Sequence, residues 1–437
     1  MNRSPQVRFS IDSHLTRPGP TLHQDPQAAA DDRLLREDDG ARNLLPRVLA
    51  LVFPQFHEDD LNSRLWGPGF TDWDSLRRAP RTNREGFAIP RPTELGYYDY
   101  GEAAPRQRQG ELARAYGIDG FVFHHYWFYD PVYSDQPRLH RPLLNMLRDG
   151  YPDVPFALHW CNTKWINTWN AKVQNSTLDK NGVLQNQYFP ANDDEGKITK
   201  HYDWLKQFFD HPKYIKVDGK PLLMMYQKKP GSYPVLTKFK ELAMRDGYPG
   251  MYFTIGLTKP HEHLLDIGDP SKYVPRPQSA ERALFVYPFD KVVSYPISAE
   301  WNRHRHLEVP QWCRERRTRT RPRERDIAGV LASFDNTPRR GAEEAHLWSA
   351  DAPDAVVARF RRSLHAAVYY EACCFPDDDR AGKRKDDDDR FVLINAMNEW
   401  AEGMALEPSD VYGRRFLETI REVKLKVIRE GCAVATE

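Results

Sequence analysis

The chain has 437 residues, of which 40% are hydrophobic, so it is long enough to bury a large core. Its 63 basic and 62 acidic side chains leave a net charge of +1, without the basic excess that is typical of nucleic-acid-binding proteins. Five cysteines without a CxxC pair predict neither a disulfide framework nor a structural zinc site. The apolar segment Leu44–Phe53 is interrupted by Pro46 and Arg47 and is too short to span a bilayer. We therefore expect a cytoplasmic protein with no transmembrane segment and no nucleic-acid partner, and leave its oligomeric state open.

Composition divides the chain into an extension and one domain. Residues 1–46 are polar and rich in proline, arginine and aspartate, which predicts a disordered extension. Residues 47–430 are predicted to form a single catalytic domain. Within it, Asp377–Arg390 contains a charged low-complexity insertion at 381–390, and Trp301–Asp326 contains nine arginines. Runs of charge are usually solvated loops, and we interpret both segments in that way.

From Arg47 onward, short apolar segments alternate with amphipathic ones, which predicts parallel βαβ units. The eight predicted strands are Val48–Phe56, Gly120–Tyr126, Phe156–Trp160, Leu222–Tyr226, Met251–Leu257, Ala283–Phe289, Val330–Phe334 and Phe391–Met397. The predicted helices include Gln107–Tyr116, Tyr202–Phe209, Val235–Arg245, Pro353–Glu371 and Tyr412–Arg429. Eight such units predict an α/β fold, a single (β/α)₈ TIM-type barrel with long loops. A doubly wound open sheet is the main alternative, although no glycine-rich phosphate loop follows the first strand.

Polar and aromatic residues lie at or near the ends of most predicted strands, where a (β/α)₈ barrel carries its active site. Sugar rings have flat C–H faces edged by hydroxyl groups, so aromatic rings beside hydrogen-bonding groups are typical of sugar sites. The predicted substrate-binding residues are Gln55, His57, Trp73, His124, His125, Tyr126, Trp127, Trp160, Asn162, Trp165, Asp335, Asn336, Asn398 and Trp400. We further expect Trp127, Trp160, Trp165 and Trp400 to line one cleft with His57 and Asn162.

Glu399 and Glu402 follow the eighth predicted strand and are the predicted catalytic pair. Cleavage of a glycosidic bond needs one carboxyl group to protonate the leaving oxygen and a second group to act at the sugar. Residues three apart in a helical turn place their Cβ atoms about 5–6 Å from each other. Such proximity should leave one carboxyl protonated and the other ionised. An isolated ExxE is more often a surface pair, but its position at a strand end, with Asn398 and Trp400 on either side of Glu399, favours catalysis.

Several histidines near strand ends raise the possibility of a metal site. No HxH pair ends the first predicted strand, and the sequence contains no HExxH helix. Adjacent His124 and His125 should point to opposite faces of one strand. We therefore expect these histidines and His159 to bind sugar hydroxyls or to pack, and predict no metal and no cofactor.

Seven motifs in order resemble the WbsX family, described as glycosyltransferases of lipopolysaccharide O-antigen assembly, which is similar to glycoside hydrolase family 99, the endo-α-mannosidases. The similarity extends from about Val48 to Leu417. The motifs are Phe53–His57 (FPQFH), Trp66–Trp73 (WGPGFTDW), Tyr116–Phe121 (YGIDGF), His124–Phe128 (HHYWF), Tyr214–Pro221 (YIKVDGKP), Phe334–Thr337 (FDNT) and Asn398–Gly403 (NEWAEG).

The resemblance implies a glycan or sugar substrate, no cofactor, and a retaining reaction through a 1,2-anhydro-sugar. It implies that Glu399 is the base that removes a 2-hydroxyl proton and that Glu402 is the general acid. Thr163 and Val286 stand where the family usually has glutamates, so the sugar preference and activity itself stay open. Three functions remain in contention: a retaining glycosidase or transglycosylase, a glycosyltransferase with an activated donor, and a non-catalytic glycan-binding barrel.

Overall fold

The computed structural model of the protein describes residues 31, 33–35, 45–130, 136–166, 183–193, 196–227, 229–257, 291–294, 326–347, 351–373 and 390–431. The principal strands are β1 (Arg47–Val52), β2 (Gly120–Trp127), β3 (Phe156–Trp160), β4 (Lys220–Met225), β5 (Tyr252–Leu257), β6 (Lys291–Ser294), β7 (Asp326–Leu331) and β8 (Phe391–Asn395). The helices are α1 (Asp60–Trp66), α2 (Asp72–Arg78), α3 (Ala103–Tyr116), α4 (Arg141–Asp149), α5 (Lys197–Phe209), α6 (Tyr233–Arg245), α7 (Thr337–Arg340), α8 (Pro353–Cys373) and α9 (Arg415–Glu430). Shorter elements are the strands Pro137–Arg138, Trp165–Ile166, Val183–Gln185, Lys216–Val217, Asn398–Glu399 and Met404–Ala405, and the 3₁₀ turns Pro230–Ser232 and Trp400–Glu402.

The eight principal strands pair in parallel, in the order β1-β8-β7-β6-β5-β4-β3-β2. β1 also pairs in parallel with β2, with Leu49 opposite Gly120. Each strand therefore has two parallel neighbours. The α/β class with a parallel sheet that the alternating pattern predicts is confirmed. Because all eight strands run in the same direction, their carboxyl ends lie at one edge, where ligands bind in α/β proteins.

Apolar runs form the sheet, and amphipathic helices cover it. β1 is a continuous apolar segment whose residues from Val48 onward are at most 2% exposed, as expected for a strand covered on both faces. On α8 the predicted stripe is buried, and α8 packs against α9. This stripe consists of Val356, Phe360, Leu364 and Val368, which recur every fourth residue and therefore lie on one helix face.

Seven predicted strands overlap observed ones, and the five predicted helices all overlap observed helices. The predicted strand Ala283–Phe289, including Val286, lies outside the described residues, and the sixth paired strand is Lys291–Ser294. The segments 301–325 and 377–389 also lie outside the described residues, as does most of the predicted extension 1–46. Among the helices that the structure describes, none combines the length and the apolar character needed to cross a bilayer.

Candidate active site

One arginine and three carboxyl groups meet at the carboxyl ends of the strands. Arg339 donates two hydrogen bonds to Asp72, from Nη2 to Oδ2 at 2.8 Å and from Nε to Oδ1 at 3.3 Å. The same guanidinium donates from Nη2 to Oε1 of Glu399 at 2.6 Å and from Nη1 to Oε1 of Glu402 at 2.5 Å. These four residues are called the carboxylate cluster below. Because a single guanidinium contacts both glutamates, the two predicted catalytic carboxyl groups lie side by side.

A tight turn after β8 presents the two glutamates. Glu399 ends a two-residue strand, and the 3₁₀ turn Trp400–Glu402 follows at once. Glu399 is the residue before this turn, and Arg339 contacts both carboxyl groups, so Glu399 and Glu402 project to the same side. Their surroundings differ, because the Glu399 side chain is 5% exposed and that of Glu402 is 28% exposed.

Gly403 allows this turn to approach the loop that follows β7. The backbone N–H of Asp335 donates to the carbonyl oxygen of Glu402 at 2.8 Å, and the Ser333 hydroxyl donates to the carbonyl oxygen of Gly403. Gly403 has a φ of +68°, and a Cβ atom there would lie 2.9 Å from the Asp335 backbone nitrogen. Any side chain would therefore force this loop away from the glutamates.

Asp335 and Asn336 hold the helix that carries Arg339. The Asp335 carboxylate accepts from the backbone N–H of Thr337 at 2.9 Å and from the side chain of Asn83 at 3.0 Å. The Asn336 side chain accepts from the backbone N–H of His346 at 2.7 Å. Both side chains, predicted to bind substrate, are thus engaged in positioning the short helix α7.

Burial governs the electrostatics of the carboxylate cluster. Burial opposes the charge of Arg339, but Asp72, Glu402 and Glu399 raise its pKa well above the usual arginine value. Burial raises the pKa of Glu399 to about 8, against the attraction of Arg339 and with the help of Glu402 and Asp72. Three carboxyl groups around one guanidinium leave excess negative charge in a buried site, which favours a retained proton. The role of base that the resemblance implies for Glu399 requires its ionised form, whereas burial favours its protonated form.

The side chains of Asn398 and Trp400 are buried and hydrogen-bonded to other parts of the protein. The Asn398 side chain accepts from the Phe53 N–H at 2.8 Å and donates to the Phe53 carbonyl oxygen at 3.0 Å, which ties the end of β1 to the end of β8. Trp400 is 2% exposed and donates from Nε1 to the Glu407 carboxyl at 2.7 Å. Burial raises the pKa of Glu407 to about 7. These contacts fix the backbone on both sides of Glu399.

Gln55, His57 and Trp73 surround the first strand end. The Gln55 carbonyl oxygen accepts from the backbone N–H of Asp72 at 2.9 Å, which positions the start of α2. His57 is buried, its Nδ1 lies 2.6 Å from the Pro54 carbonyl oxygen, and burial lowers its pKa to about 4. The Trp73 ring is buried and packs on Phe56 with ring centroids 4.2 Å apart.

His125, Trp127 and Trp160 point away from the carboxylate cluster, toward α5. The Trp127 ring stacks on His201 with centroids 4.4 Å apart, and Nε2 of His125 lies 2.8 Å from Nε2 of His201. Trp160 donates from Nε1 to the Trp127 carbonyl oxygen at 3.2 Å. The structure places both tryptophans in the core, at most 1% exposed, so neither ring offers an open face to a sugar. Trp127 and Trp160 therefore do not line an open cleft with Trp165 and Trp400, contrary to the expectation from the sequence.

Of the remaining predicted binding residues, Asn162 and Trp165 make structural contacts, whereas Tyr126 and His124 lie near the carboxylate cluster. The Asn162 side chain accepts from the Gln227 N–H at 3.0 Å and donates to its carbonyl oxygen at 2.9 Å, so it links the ends of β3 and β4. Trp165 is partly exposed and packs edge-on against Tyr126 at 5.3 Å. Tyr126 is close enough to Glu399 to interact with its charge, and burial raises the pKa of the tyrosine. His124 interacts in the same way with Arg339.

Four residues in or beside the cluster were not among the predicted site residues. Asp72 lies within the Trp66–Trp73 motif, and Arg339 lies two residues after the Phe334–Thr337 motif. Tyr226 follows β4 and is near Glu402 and Glu399, while Cys161 follows β3 and is near Glu399. His159, which was expected to bind sugar hydroxyls or to pack, lies edge-on against Tyr226 with ring centroids 5.9 Å apart. Position at a strand end was the available signal for Tyr226 and Cys161.

Comparison with known proteins gives matches over most of the chain. The relative WxcX from Xanthomonas campestris pv. campestris strain B100, an uncharacterised protein, is 28% identical over 415 residues, which is 94% of this chain and 54% of WxcX. WxcX from strain ATCC 33913 is 29% identical over 86% of this chain and 50% of its own length. The chain thus spans about half the length of the curated relatives it matches.

Among solved structures, a glycoside hydrolase-like protein is similar with a TM-score of 0.49 and 15% identity, over 87% of this chain and 94% of that protein. The endo-α-mannosidase of glycoside hydrolase family 99 from Bacteroides thetaiotaomicron has a TM-score of 0.47 and 12% identity, over 88% of this chain and 99% of its own. The family model described as Glycosyltransferase WbsX matches residues 48–420. Because that match covers most of the chain, the protein belongs to the WbsX glycosyltransferase family, a family of carbohydrate-active enzymes.

Proposed function

We propose that the eight principal strands close into a (β/α)₈ barrel and that residues 47–430 form one catalytic domain. Closure is supported by the strand pairing, because an open sheet would leave two edge strands with one neighbour each, whereas β1 pairs with both β2 and β8. A single domain is supported by one hydrophobic cluster that contains residues from Leu45 to Val427.

The carboxylate cluster makes or breaks a glycosidic bond with retention, with Glu399 as the base and Glu402 as the general acid. One observation carries this proposal: a single buried guanidinium holds both carboxyl groups side by side at the carboxyl ends of the strands. Packing alone gives no reason to collect three carboxyl groups in a buried site, because each unpaired buried charge is costly. Retaining glycosidases need two carboxyl groups about 5 Å apart.

A raised pKa suits Glu399 to remove a proton from a sugar hydroxyl. Hydroxyl groups are weak acids, and the strength of a general base increases with its pKa. Burial raises the pKa of Glu399 to about 8, which makes the ionised form a stronger base than an exposed glutamate. The cost is that only about a tenth of the molecules carry the ionised form at pH 7. The pH profile of kcat/KM should therefore have a limb near pH 8, set by the titration of Glu399.

Glu402 has the exposure that a general acid needs. Its side chain is 28% exposed, so it can reach the oxygen of a bound glycan, whereas Glu399 is nearly enclosed. In the proposed sequence, Glu399 takes the 2-hydroxyl proton as O2 forms a bond to C1. The bond from C1 to the leaving oxygen breaks, and Glu402 gives its proton to that oxygen. A water or an acceptor hydroxyl then attacks C1 and gives its proton to Glu402. The C1–O2 bond breaks, Glu399 returns its proton to O2, and the configuration is retained.

A donor-dependent glycosyltransferase is the second candidate function, and the description of the matching family favours it. The same two glutamates would serve it, since an acceptor hydroxyl takes the place of water in the second step. The candidates differ in the leaving group. A hydrolase or transglycosylase expels a sugar, whereas a donor-dependent transferase expels a nucleotide or another activated carrier.

Product analysis tests this proposal. The purified protein is incubated with α-mannosides, rhamnosides and nucleotide sugars, with and without a glycan acceptor, from pH 6 to pH 9. We expect turnover that requires Glu399 and Glu402, with the initial configuration kept in the product. Sugar release without nucleotide identifies the glycosidase, and nucleotide-dependent extension identifies the transferase. Saturable glycan binding without turnover would contradict catalysis and support a binding barrel.

A further inference from the structure

Three metal-binding side chains converge beside the carboxylate cluster, at the carboxyl ends of β2 and β3. His124 and His159 are opposite each other in the register of these two strands, and their ring centroids are 4.9 Å apart. Cys161 directly follows β3 and has a free thiol. One ligand atom from each residue lies within 4.8 Å of the others. These three residues are called the His-Cys triad below.

Three of the four imidazole nitrogens of the triad are buried without a hydrogen-bond partner among the described residues. In the part of the chain that the structure describes, both ring nitrogens of His124 and Nδ1 of His159 are buried and have no hydrogen-bond partner. His159 is only 6% exposed, so water does not readily replace the missing partner. The Cys161 thiol is hydrogen-bonded with the Tyr126 side chain and makes a weak contact of 3.9 Å with the His159 carbonyl oxygen. Buried polar atoms normally have partners, and several unpaired ones at one point indicate an absent ligand.

The types of ligand atom in the triad determine which class of cation it can bind. Two imidazoles and one thiolate are ligands for zinc and similar divalent transition metals, and they are unsuitable for magnesium or calcium. Bond lengths of about 2.0–2.3 Å in a tetrahedral zinc site place ligand atoms about 3.4–3.8 Å apart. Small side-chain movements would bring the triad from its present spacing to that geometry.

We propose that His124, His159 and Cys161 bind one divalent transition-metal cation of the zinc class. The cation displaces the thiol proton of Cys161, which is released to water as the metal–sulfur bond forms. Three protein ligands leave a fourth position for an oxygen of water or of a sugar hydroxyl, as in catalytic rather than structural zinc sites. The site adjoins the carboxylate cluster, because Cys161 and His124 interact with the charges of Glu399 and Arg339.

Cobalt is the probe for this site. The protein is first treated with a chelator, and Co²⁺ is then titrated into it while the absorption spectrum is recorded. We expect one Co²⁺ per chain, a thiolate-to-cobalt charge-transfer band in the near ultraviolet, and visible bands typical of tetrahedral Co²⁺. Excess Zn²⁺ should remove these bands. Cys161→Ser should abolish the charge-transfer band, and His159→Gln should weaken binding by more than about tenfold, since even partners of metal ligands contribute that much.

His211→Gln is the matched control. His211 lies at the amino end of β3, against Phe156 with ring centroids 5.3 Å apart, and its replacement should leave cobalt binding unchanged. Circular dichroism of each variant checks that it is folded. The proposal is overturned if folded wild-type protein binds no Co²⁺ at micromolar concentrations, or if Cys161→Ser keeps the band. Either result would leave the histidines as packing residues, and it would not affect the roles proposed for Glu399 and Glu402.

Discussion

Replacing Glu402 by glutamine should slow turnover of glycans with poor leaving groups by about 10²–10⁴-fold and spare substrates with good ones. Glutamine keeps the size of the side chain and its contact with Arg339 but has no proton to donate. An alkoxide leaving group needs that proton, whereas an aryloxide leaves without much assistance. The measurement is kcat/KM of Glu402→Gln on an aryl glycoside and on a glycan that carry the same sugar.

Glu418→Gln is the control for this substitution, because Glu418 is exposed in the first turn of α9, and its kcat/KM should match the wild type. Equal losses on the activated and the natural-type substrate would remove Glu402 from the role of general acid. The proposed mechanism would then need another proton donor at the leaving oxygen.

Removing the positive charge of Arg339 should lower both the activity and the stability of the protein. Arg339→Met leaves Asp72, Glu399 and Glu402 without their shared guanidinium, which is 8% exposed. Removing one partner of a buried ion pair typically costs about 3–5 kcal/mol, so the melting temperature should fall clearly. The pKa of Glu399 should also rise, because Arg339 opposes the effect of burial.

The pH profile of kcat/KM distinguishes an electrostatic effect of Arg339 on Glu399 from a general loss of stability. In the wild type, the pH profile of kcat/KM should have a limb near pH 8, set by the titration of Glu399. In Arg339→Met this limb should move to higher pH, and at pH 7 the loss should reach about a hundredfold, comparable to the removal of one preorganised donor. Arg339→Lys keeps the charge but not the planar set of guanidinium donors. The pH of its limb should therefore lie close to the wild-type value, while its kcat/KM should remain reduced. Arg340→Met, on the same short helix, is the control. A limb at the same pH in Arg339→Met and the wild type would contradict the electrostatic role.

Local patterns in the sequence were sufficient to predict most of the described elements and the proximity of Glu399 and Glu402. The fourfold spacing of Val356, Phe360, Leu364 and Val368 predicts a helix with one apolar face, and that face is buried. Alternation along β2 predicts that His124 and His125 point to opposite faces. His125 indeed meets His201 while His124 meets His159. The three-residue spacing of Glu399 and Glu402 similarly predicts that they project together.

Contacts between distant residues could not be predicted in this way. Arg339 and Asp72 are 267 residues apart and meet only because the loops after β1 and β7 fold over the same strand ends. Trp127 and Trp160 have the residue type of a sugar platform, but their side of the strand places them against α5. Burial also reverses the ionisation expected for Glu399, since the sequence gives its neighbours along the chain but not the depth of the site.

The central claim is that Glu399 does the chemistry, and kcat/KM of Glu399→Gln tests it most directly. Glutamine can still accept a hydrogen bond from Arg339 but cannot remove a hydroxyl proton. We predict a loss of at least about 10² on activated and natural-type substrates alike, because both need the base. The protein should remain folded, which thermal unfolding would check. Near-wild-type activity of Glu399→Gln on either substrate would contradict the account.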